Sequence, residues 1–547
     1  MPAGARPRRR WRRPRLPRAA PGPAPPRRPG RHRRPGRRGG ATGPRGRRRR
    51  AGGGVRRLRR RRRHHGGGAH LVSARGRRPV EVAVASRDAG YGFSQAAVTD
   101  FVARGCTLVV TGDCGTSDVA SIEAARAHGV DVIVIDHHTV PAEGGPAHPA
   151  LALVNPLRAD SAFPFRGMAS VGLAFYVVCA LRTQLRDAGH FRGRPEPDPR
   201  ELLDLVALGT VADLVPLREE NRILTALGLA RLGARARPGL AALLEIAGVG
   251  ADQPVDARTI AWKLGPRLNA PGRLGAALPA LELLLASDAD AGRCAAALEQ
   301  ANLARRAAQD VVVAEAMATA QVGACVVAAG AGWGAGVVGI VAAKLVEAHG
   351  RPAFVIAVDE TTGVARGSAR TCGGVDLYQA LAAAAPLLER FGGHAAAAGL
   401  TVRAEKLPEL TAALDGAVAE QVTRLAAGSG PIQRGRAADA ELDLAEVDER
   451  LCGELAALGP FGQDNPPLQL LARGVRVLAS RRVGDGSHLK LLLDGGHGRE
   501  LDAIGFGLGE QAPAVDARVD VVCGPRVSVF RGRARVELEI TALAPSA

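Results

Sequence analysis

The sequence predicts an α/β chain of two α/β lobes joined by a long helix, with a C-terminal β-barrel domain. Three observations carry this. From Val80 to about Leu285, short β-branched runs alternate with amphipathic helical stretches, the pattern of a doubly wound parallel sheet. A second strand, glycine turn and helix opens at Ala324, after an alanine-rich helical stretch. From Leu468 onward, six short runs alternate apolar and polar residues at the spacing of a small barrel.

The first segment carries none of these signals. Residues 1–79 are arginine, proline and glycine with almost no apolar periodicity, a composition that buries no core and predicts disorder. They hold thirty arginines and no acidic residue, whereas the whole chain has 74 basic and 53 acidic residues and a net charge of +21. The remaining 44 basic residues against 53 acidic ones give −9, so the folded body is acidic and any nucleic-acid groove on it is a local patch. Two readings of the segment stand: a basic nucleic-acid tail, or a GC-rich gene read in a shifted frame, which also yields Arg, Gly, Pro and Ala. Eight scattered cysteines without a Cys-x-x-Cys pair speak against a zinc knuckle or disulfide framework and for a reducing, cytoplasmic setting. No run of about 18 apolar residues exists to span a membrane, and the basic start lacks the apolar segment of a secretory signal.

In the first lobe (residues 80–285), the organising stretch is Val132-Ile-Val-Ile-Asp136-His137-His138: a buried strand ending in an acid and two imidazoles. Open parallel sheets bind ligands at the carboxyl ends of their strands. Imidazole beside carboxylate suits a divalent ion such as Mn²⁺ better than a thiolate-seeking metal. Upstream, Thr107–Gly112 is a second strand ending at Asp113, and Ser117 to Gly129 reads as the helix between the two. Downstream, the apolar segment from Leu202 delivers Asp213 as a third candidate ligand.

These patterns together resemble the DHH phosphoesterase superfamily. Val80 to Gly92, Val154-Asn155-Pro156 and Phe163 to Gly172 are similar to its RecJ branch. The helix from Leu173 to Leu185 reads as pure core. The resemblance implies that Asp113, His137 and Asp213 hold Mn²⁺ or Mg²⁺, that Asp136 orients His137, and that His138 lies near the scissile phosphate. It also implies an opening Asp-x-Asp-x-Asp-Gly motif that supplies most ligands of a first metal. No aspartate precedes Asp88 here, so that motif is expected to have been lost through a frame error, leaving one three-ligand site. In Gly265-Pro-Arg267-Leu-Asn269-Ala-Pro-Gly-Arg273, two arginines and an amide lie in what reads as a glycine- and proline-held turn. The resemblance makes Asn269 and Arg273 substrate contacts.

A helical linker (286–322, within a helical stretch from Leu281 to about Val322) leads to the second lobe, 323–427. There a glycine-rich turn, Gly332 to Gly339, enters a helix whose amino terminus suits an anion. A strand from Phe354 to Val358, an Arg366-Gly-Ser368-Ala-Arg370 loop, a helix from Asp376 to Phe391 and the turn Gly392-Gly393-His394 follow. The two motif segments resemble those of the DHHA1 substrate-binding domain, so Ser368 and Arg370 are expected to hold a phosphate that His394 approaches. Gly334 stands where RecJ-like chains commonly carry histidine. Residues 437–547 resemble an OB-fold domain, whose groove binds single strands through basic and aromatic side chains. The candidates are Phe461, Phe506 and Phe530 with Arg481, Arg482, Lys490, Arg531 and Arg533.

The resemblance implies a single-strand-specific 5′→3′ DNA exonuclease of repair and recombination, working through metal-dependent hydrolysis. The chain lacking its first metal motif is expected to be weak or inactive. Single-stranded DNA is the implied partner, with a single-strand-binding protein and a helicase by family analogy. Two alternatives are a non-catalytic single-strand-binding relative and a DHH-family phosphodiesterase of oligonucleotides or cyclic dinucleotides. The latter would have little use for the tail after Leu458.

Overall fold

The computed structural model describes residues 80–84, 92–140, 148–275, 277–428, 438–530 and 533–546. The arginine-rich segment and Asp88 lie outside them, as does Arg531; so does nearly all of the linker that the sequence places near Gly428 to Arg436, and of the Phe530 and Arg533 side chains nothing is described.

Helix α1 (Gln95–Ala103) starts at Ser94, whose side chain accepts from Ala97 N, and leads into β1 (Leu108–Gly112). After α2 (Val119–Ala127) come β2 (Asp131–Ile135) and β3 (Ala152–Val154), which complete a three-stranded parallel sheet in the order β1-β2-β3. Leu108 to Gly112 run in register with Asp131 to Ile135, so the chain leaves both strands at the same edge. Ile122, Val132 and Val134 are fully enclosed between helix and sheet. That burial anchors the strand ends that carry Asp113 and Asp136.

Helices build the rest of the lobe: α3 (Ser170–Asp187), α4 (Leu203–Ala212), α5 (Glu219–Gly233), α6 (Pro238–Ile246), α7 (Gly265–Arg273) and α8 (Leu278–Leu284). Helix α4 is apolar on nearly every side because α3 and α5 both lean on it. A Cβ at Gly228 would lie 2.1 Å from the Leu203 carbonyl oxygen, so only glycine lets α5 approach this closely. Contrary to the expectation of pure core, α3 buries only its first turn, and Tyr176 and Leu181 face solvent. Gln184 and Arg186 are exposed, and Arg182 and Arg186, one turn apart, both pair with Glu196. The Gly265–Arg273 segment is helix, not a turn. Pro266 lies where a π-helical segment, Thr259–Leu264, runs directly into this helix, and Pro271 lies inside it.

The 32-residue helix α9 (Asp288–Thr319) joins the lobes. The helical stretch expected from Leu281 is two helices, since Ser287 starts α9 after α8 has ended. The second lobe comprises β4 (Gln321–Val322), β5 (Val326–Ala331), α10 (Val338–His349), β6 (Ala353–Asp359), β7 (Val364–Arg370), α11 (Leu377–Ala383), β8 (Leu388–Gly393), β9 (Ala397–Arg403) and α12 (Leu407–Gly428). Its sheet order is β4-β5-β6-β7-β9-β8. The helix expected from Asp376 to Phe391 ends at Ala383. Pro386 follows, and residues 388–393 instead pair with β9, where backbone partners outweigh the alanine-rich helical pattern.

The last domain contains β10 (Ala440–Glu441), α13 (Glu449–Ala456), β11 (Leu470–Val483), β12 (His488–Asp494), β13 (Glu500–Gly505), β14 (Arg518–Phe530) and β15 (Arg533–Pro545). The circuit β11-β12-β13-β15-β14 closes on itself because β14 also pairs with β11. Val477, Leu489, Leu491, Val521 and Leu538 fill its inside. The runs at Leu468 and Val475, read as two strands, form one bent strand. Its register with β14 shifts between Ala472 and Val475, and Gly474 has φ +63°.

Candidate metal centre

The Asp113 backbone has φ +63°, unusual for a residue with a side chain, and its N–H donates to Ile135 O at 3.0 Å. Gly115, with φ +114°, closes the turn; a Cβ there would lie 2.8 Å from Thr111 Oγ1 and 2.9 Å from Val134. The tight turn therefore holds Asp113 over the end of β2. Asp213 arrives from the far end of α4, where its N–H still donates to Gly209 O. The two carboxylates meet one imidazole: His137 Nε2 is 3.4 Å from Asp113 Oδ1 and 3.3 Å from Asp213 Oδ2. Ligand atoms of Asp113, His137 and His138 also lie within 4.8 Å of one another. Two carboxylates a hundred positions apart in the chain thus meet at one imidazole nitrogen.

Asp136 is buried and fully committed. One oxygen accepts from His137 N (2.8 Å), His138 N (3.3 Å) and the His138 ring Nδ1 (2.7 Å); the other accepts from Thr116 N (3.1 Å). Burial works against its charge, but the bonds from His138 and Thr116 prevail and hold its carboxyl well below the usual range. This corrects one expected role. Asp136 grips the His137 backbone, but the ring it orients is that of His138. In return, the Asp136 hydrogen bond raises the His138 pKa against the opposing effect of burial. The two imidazoles stand edge to face with centroids 4.9 Å apart. Burial raises the Asp213 pKa, partly offset by His137.

Asn155 and Thr116 are positioning residues. Buried Asn155 donates to Thr116 Oγ1 (3.1 Å) and His138 O (2.9 Å) and accepts from Leu157 N (2.8 Å). The Asn155-Pro156 pattern marked one of them. Nothing in the sequence singled out Thr116, a small residue in a turn.

The donors fit a hard or borderline divalent ion: two carboxylates and one or two imidazoles, with no thiolate. Cys114 is nearby, but burial, followed by the neighbouring aspartates, pushes its thiol up to about 12, so it stays protonated.

Of the expected substrate contacts, three gather at the start of α10. Arg273 Nη1 donates to Gly336 O at 3.0 Å. A Cβ on Gly339 would lie 3.1 Å from Arg370 Nη2 and 3.5 Å from Ser368 Oγ. Ser368 and Arg370 lie on strand β7, not on a loop; pairing with β6 and β9 on both sides fixes them there. His394 sits in the β8–β9 turn, at the sheet end where Arg370 pairs with Ala397. Asn269 is exposed on α7. Arg267 is engaged elsewhere, in an ion pair with Glu299, so it is no phosphate clamp. In the last domain Lys490 is likewise paired, with Glu537 (2.8 Å) and Asp502 (3.1 Å). Trp262 carries no signal in the sequence; its exposure is visible only in the fold.

Comparison with known proteins identifies relatives over most of the chain. Three family models match: the DHH family N-terminal domain over residues 38–210, the DHHA1 domain over 319–420 and the RecJ OB domain over 438–542. Among curated relatives, the single-stranded-DNA-specific exonuclease RecJ of Bacillus subtilis is 35% identical over 82% of this chain and 56% of its own length. That of Dickeya dadantii is 38% identical over 86% of this chain and 83% of its own. The chain thus spans little more than half of the first relative and most of the second. Among solved structures, RecJ from Thermus thermophilus in complex with Mn²⁺ superposes with a TM-score of 0.67 at 30% identity, covering 83% of this chain and 64% of that one. The exonuclease RecJ bound to manganese gives 0.50 at 32% identity, covering 60% and 80%. By its closed barrel, its two α/β lobes and these relatives, the chain belongs to the RecJ family.

Proposed function

We propose that the chain hydrolyses phosphodiester bonds of single-stranded DNA, from the 5′ end, at a centre built on Asp113, His137 and Asp213. The single observation that carries this is the convergence of both carboxylates on one His137 nitrogen. Those three residues would hold Mn²⁺ or Mg²⁺. A bound divalent ion supplies Lewis-acid activation of water and of the phosphoryl oxygen. The protein's own part is positional. Asp136 fixes both histidines through three hydrogen bonds, is itself held by a fourth from Thr116 N, and leaves Nε2 as the remaining polar atom of the His138 ring, the group we assign to the scissile phosphate. Arg273, Ser368, Arg370, His394 and Asn269 are assigned to the substrate's phosphates, where guanidinium groups neutralise charge developing in the reaction. Replication and repair partners, a single-strand-binding protein and a helicase, belong to the same reading, as does a cytoplasmic setting; among the described residues no helix is long and apolar enough to cross a membrane.

The test compares 5′- and 3′-labelled single strands with duplex, with and without Mn²⁺. Release of nucleotides from the 5′ end of single strands alone is the expected result. A second reading, a strand binder without turnover, draws on one observation: the given sequence holds no acidic residue before Glu81, where the resemblance implies the ligands of a first metal. Calorimetric Mn²⁺ titration separates the two. One site with slow turnover fits an impaired nuclease, and strand binding with no turnover fits the second reading. Two tight sites with rapid turnover would show that the missing motif does not matter.

A further inference from the structure

Trp262 is the most exposed of the large apolar side chains among the described residues, at 73% of its full surface. It stands in the π-helical segment Thr259–Leu264, an irregularity that recurs at functional sites. An indole is a large apolar surface to leave in water, and a ring free on its helix is poised for a flat ligand. One turn earlier, Arg258 Nη1 bonds Glu539 Oε2 of the barrel at 2.7 Å, and Arg526 Nη1 bonds the same carboxylate at 2.7 Å. The charges at this junction therefore satisfy one another, and the feature left uncommitted is a ring face, not a cation. Glu539 pairs in register with Ile504. Two residues beyond Ile504, in the turn that follows the strand, Phe506 is also exposed, with its ring edge-on to His488 at a centroid distance of 5.4 Å. Two exposed aromatic rings, one from each domain, thus stand within four residues of the residues at one interdomain ion pair: Trp262 follows Arg258, and Phe506 follows Ile504, the strand partner of Glu539.

From this we infer that Trp262 is a stacking platform for a nucleobase, and that the bound single strand crosses from the first lobe to the barrel over the Arg258–Glu539 pair towards Phe506. The inference rests on the proposed single-strand substrate and deepens it. Stacking is tolerant of sequence because every base offers a π-face. It also discriminates: a base inside a duplex has both faces covered by its neighbours, so only an unpaired strand can use the ring. A contact of this kind involves no phosphate and leaves the salt dependence of binding unchanged.

The chain has three tryptophans, so the test can read Trp262 directly. Trp333 is buried, with Nε1 bonded to Glu315 at 2.6 Å, and Trp11 lies outside the described residues. Oligo(dT) is added to the full chain in chelator, with tryptophan emission and the anisotropy of a labelled strand recorded together. We expect emission to be quenched on binding in the unaltered chain and in Trp11→Phe, and the quenching to vanish in Trp262→Phe with affinity largely kept. Trp262→Ala should weaken binding about tenfold with an unchanged slope against salt. Quenching that persists in Trp262→Phe, or undiminished affinity in Trp262→Ala, overturns the inference while leaving the substrate reading intact. Absence of an anisotropy change in the unaltered chain overturns both.

Discussion

The backbone of Gly336 packs against the backbone of Arg273, so that a Cβ on Gly336 would sit 2.0 Å from the Arg273 carbonyl oxygen, while the Arg273 guanidinium donates to the Gly336 carbonyl. One residue belongs to the first lobe and the other to the second. Their contact brings together the ends of α7 and α10, where Ser368 and Arg370 also lie.

Gly336→Ala is therefore expected to part the lobes at this point. Neither partner can yield as a side chain would, because the clash is with backbone. A cost of about 1–3 kcal/mol is expected from overpacking, seen as a lower Tm, together with a larger loss of strand hydrolysis than of Mn²⁺ binding. Equal Tm and activity in the variant would contradict the close approach.

Removing the metal is expected to stop hydrolysis without unfolding the chain. Asp113, Asp136 and Asp213 are held by backbone hydrogen bonds and by the enclosed strand core, neither of which needs an ion. Chelator should leave the circular dichroism unchanged, and added Mn²⁺ should restore activity and raise the Tm by mass action. His137→Ala should abolish the Mn²⁺-dependent Tm rise. Unfolding in chelator would mean that the ion is structural.

Asp136→Asn removes a carboxylate that accepts four hydrogen bonds, and an amide oxygen cannot accept them all. Mn²⁺ affinity or turnover should fall about 10–100-fold, as for other residues that orient metal ligands.

The same residue predicts a pH effect. Its folded pKa lies below the ordinary value of about 4, so the unfolded chain binds the proton more readily. The stabilisation is present in full above that ordinary value and is lost as pH falls towards the folded one. The metal-free Tm should therefore drop less steeply between about pH 6 and pH 3 in Asp136→Asn than in the unaltered chain. Identical slopes would show that the carboxylate contributes nothing of the kind.

The segment before the barrel docks on the first lobe through Arg222, which donates to Leu458 O (2.8 Å) and Gly459 O (3.1 Å), while Leu217 N donates to Gln463 O (2.8 Å). Arg222→Ala should speed amide exchange across residues 458–465 while sparing β11 to β15. The exposed Arg258–Glu539 pair should matter less, since such pairs contribute about 0–1 kcal/mol. Unchanged exchange in Arg222→Ala would place the hold on this segment elsewhere.

Periodicity and residue type determined much of this protein on their own. The runs ending at Asp113 and at Asp136-His137-His138 read correctly as parallel strands from their short, continuously apolar stretches, although the first of them buries only one face, with Leu108 and Val110 exposed. The barrel strands were legible from alternation, and the DHH, DHHA1 and OB order from motifs. Such signals are local, and local signals fail where a distant partner decides. Residues 388–393 resemble helix and become strand because β9 supplies their hydrogen bonds. Lys490 and Arg267 look free in sequence and are paired by Glu537 and Glu299. Asp136 was expected to orient His137 and turns to His138, a choice made by turn geometry that no motif encodes. Only the tertiary structure decided that two carboxylates a hundred residues apart share one imidazole nitrogen, and that Trp262 stands bare beside the barrel. Contacts at long sequence separation depend on how whole helices and sheets pack, and that packing is encoded in no single stretch of chain.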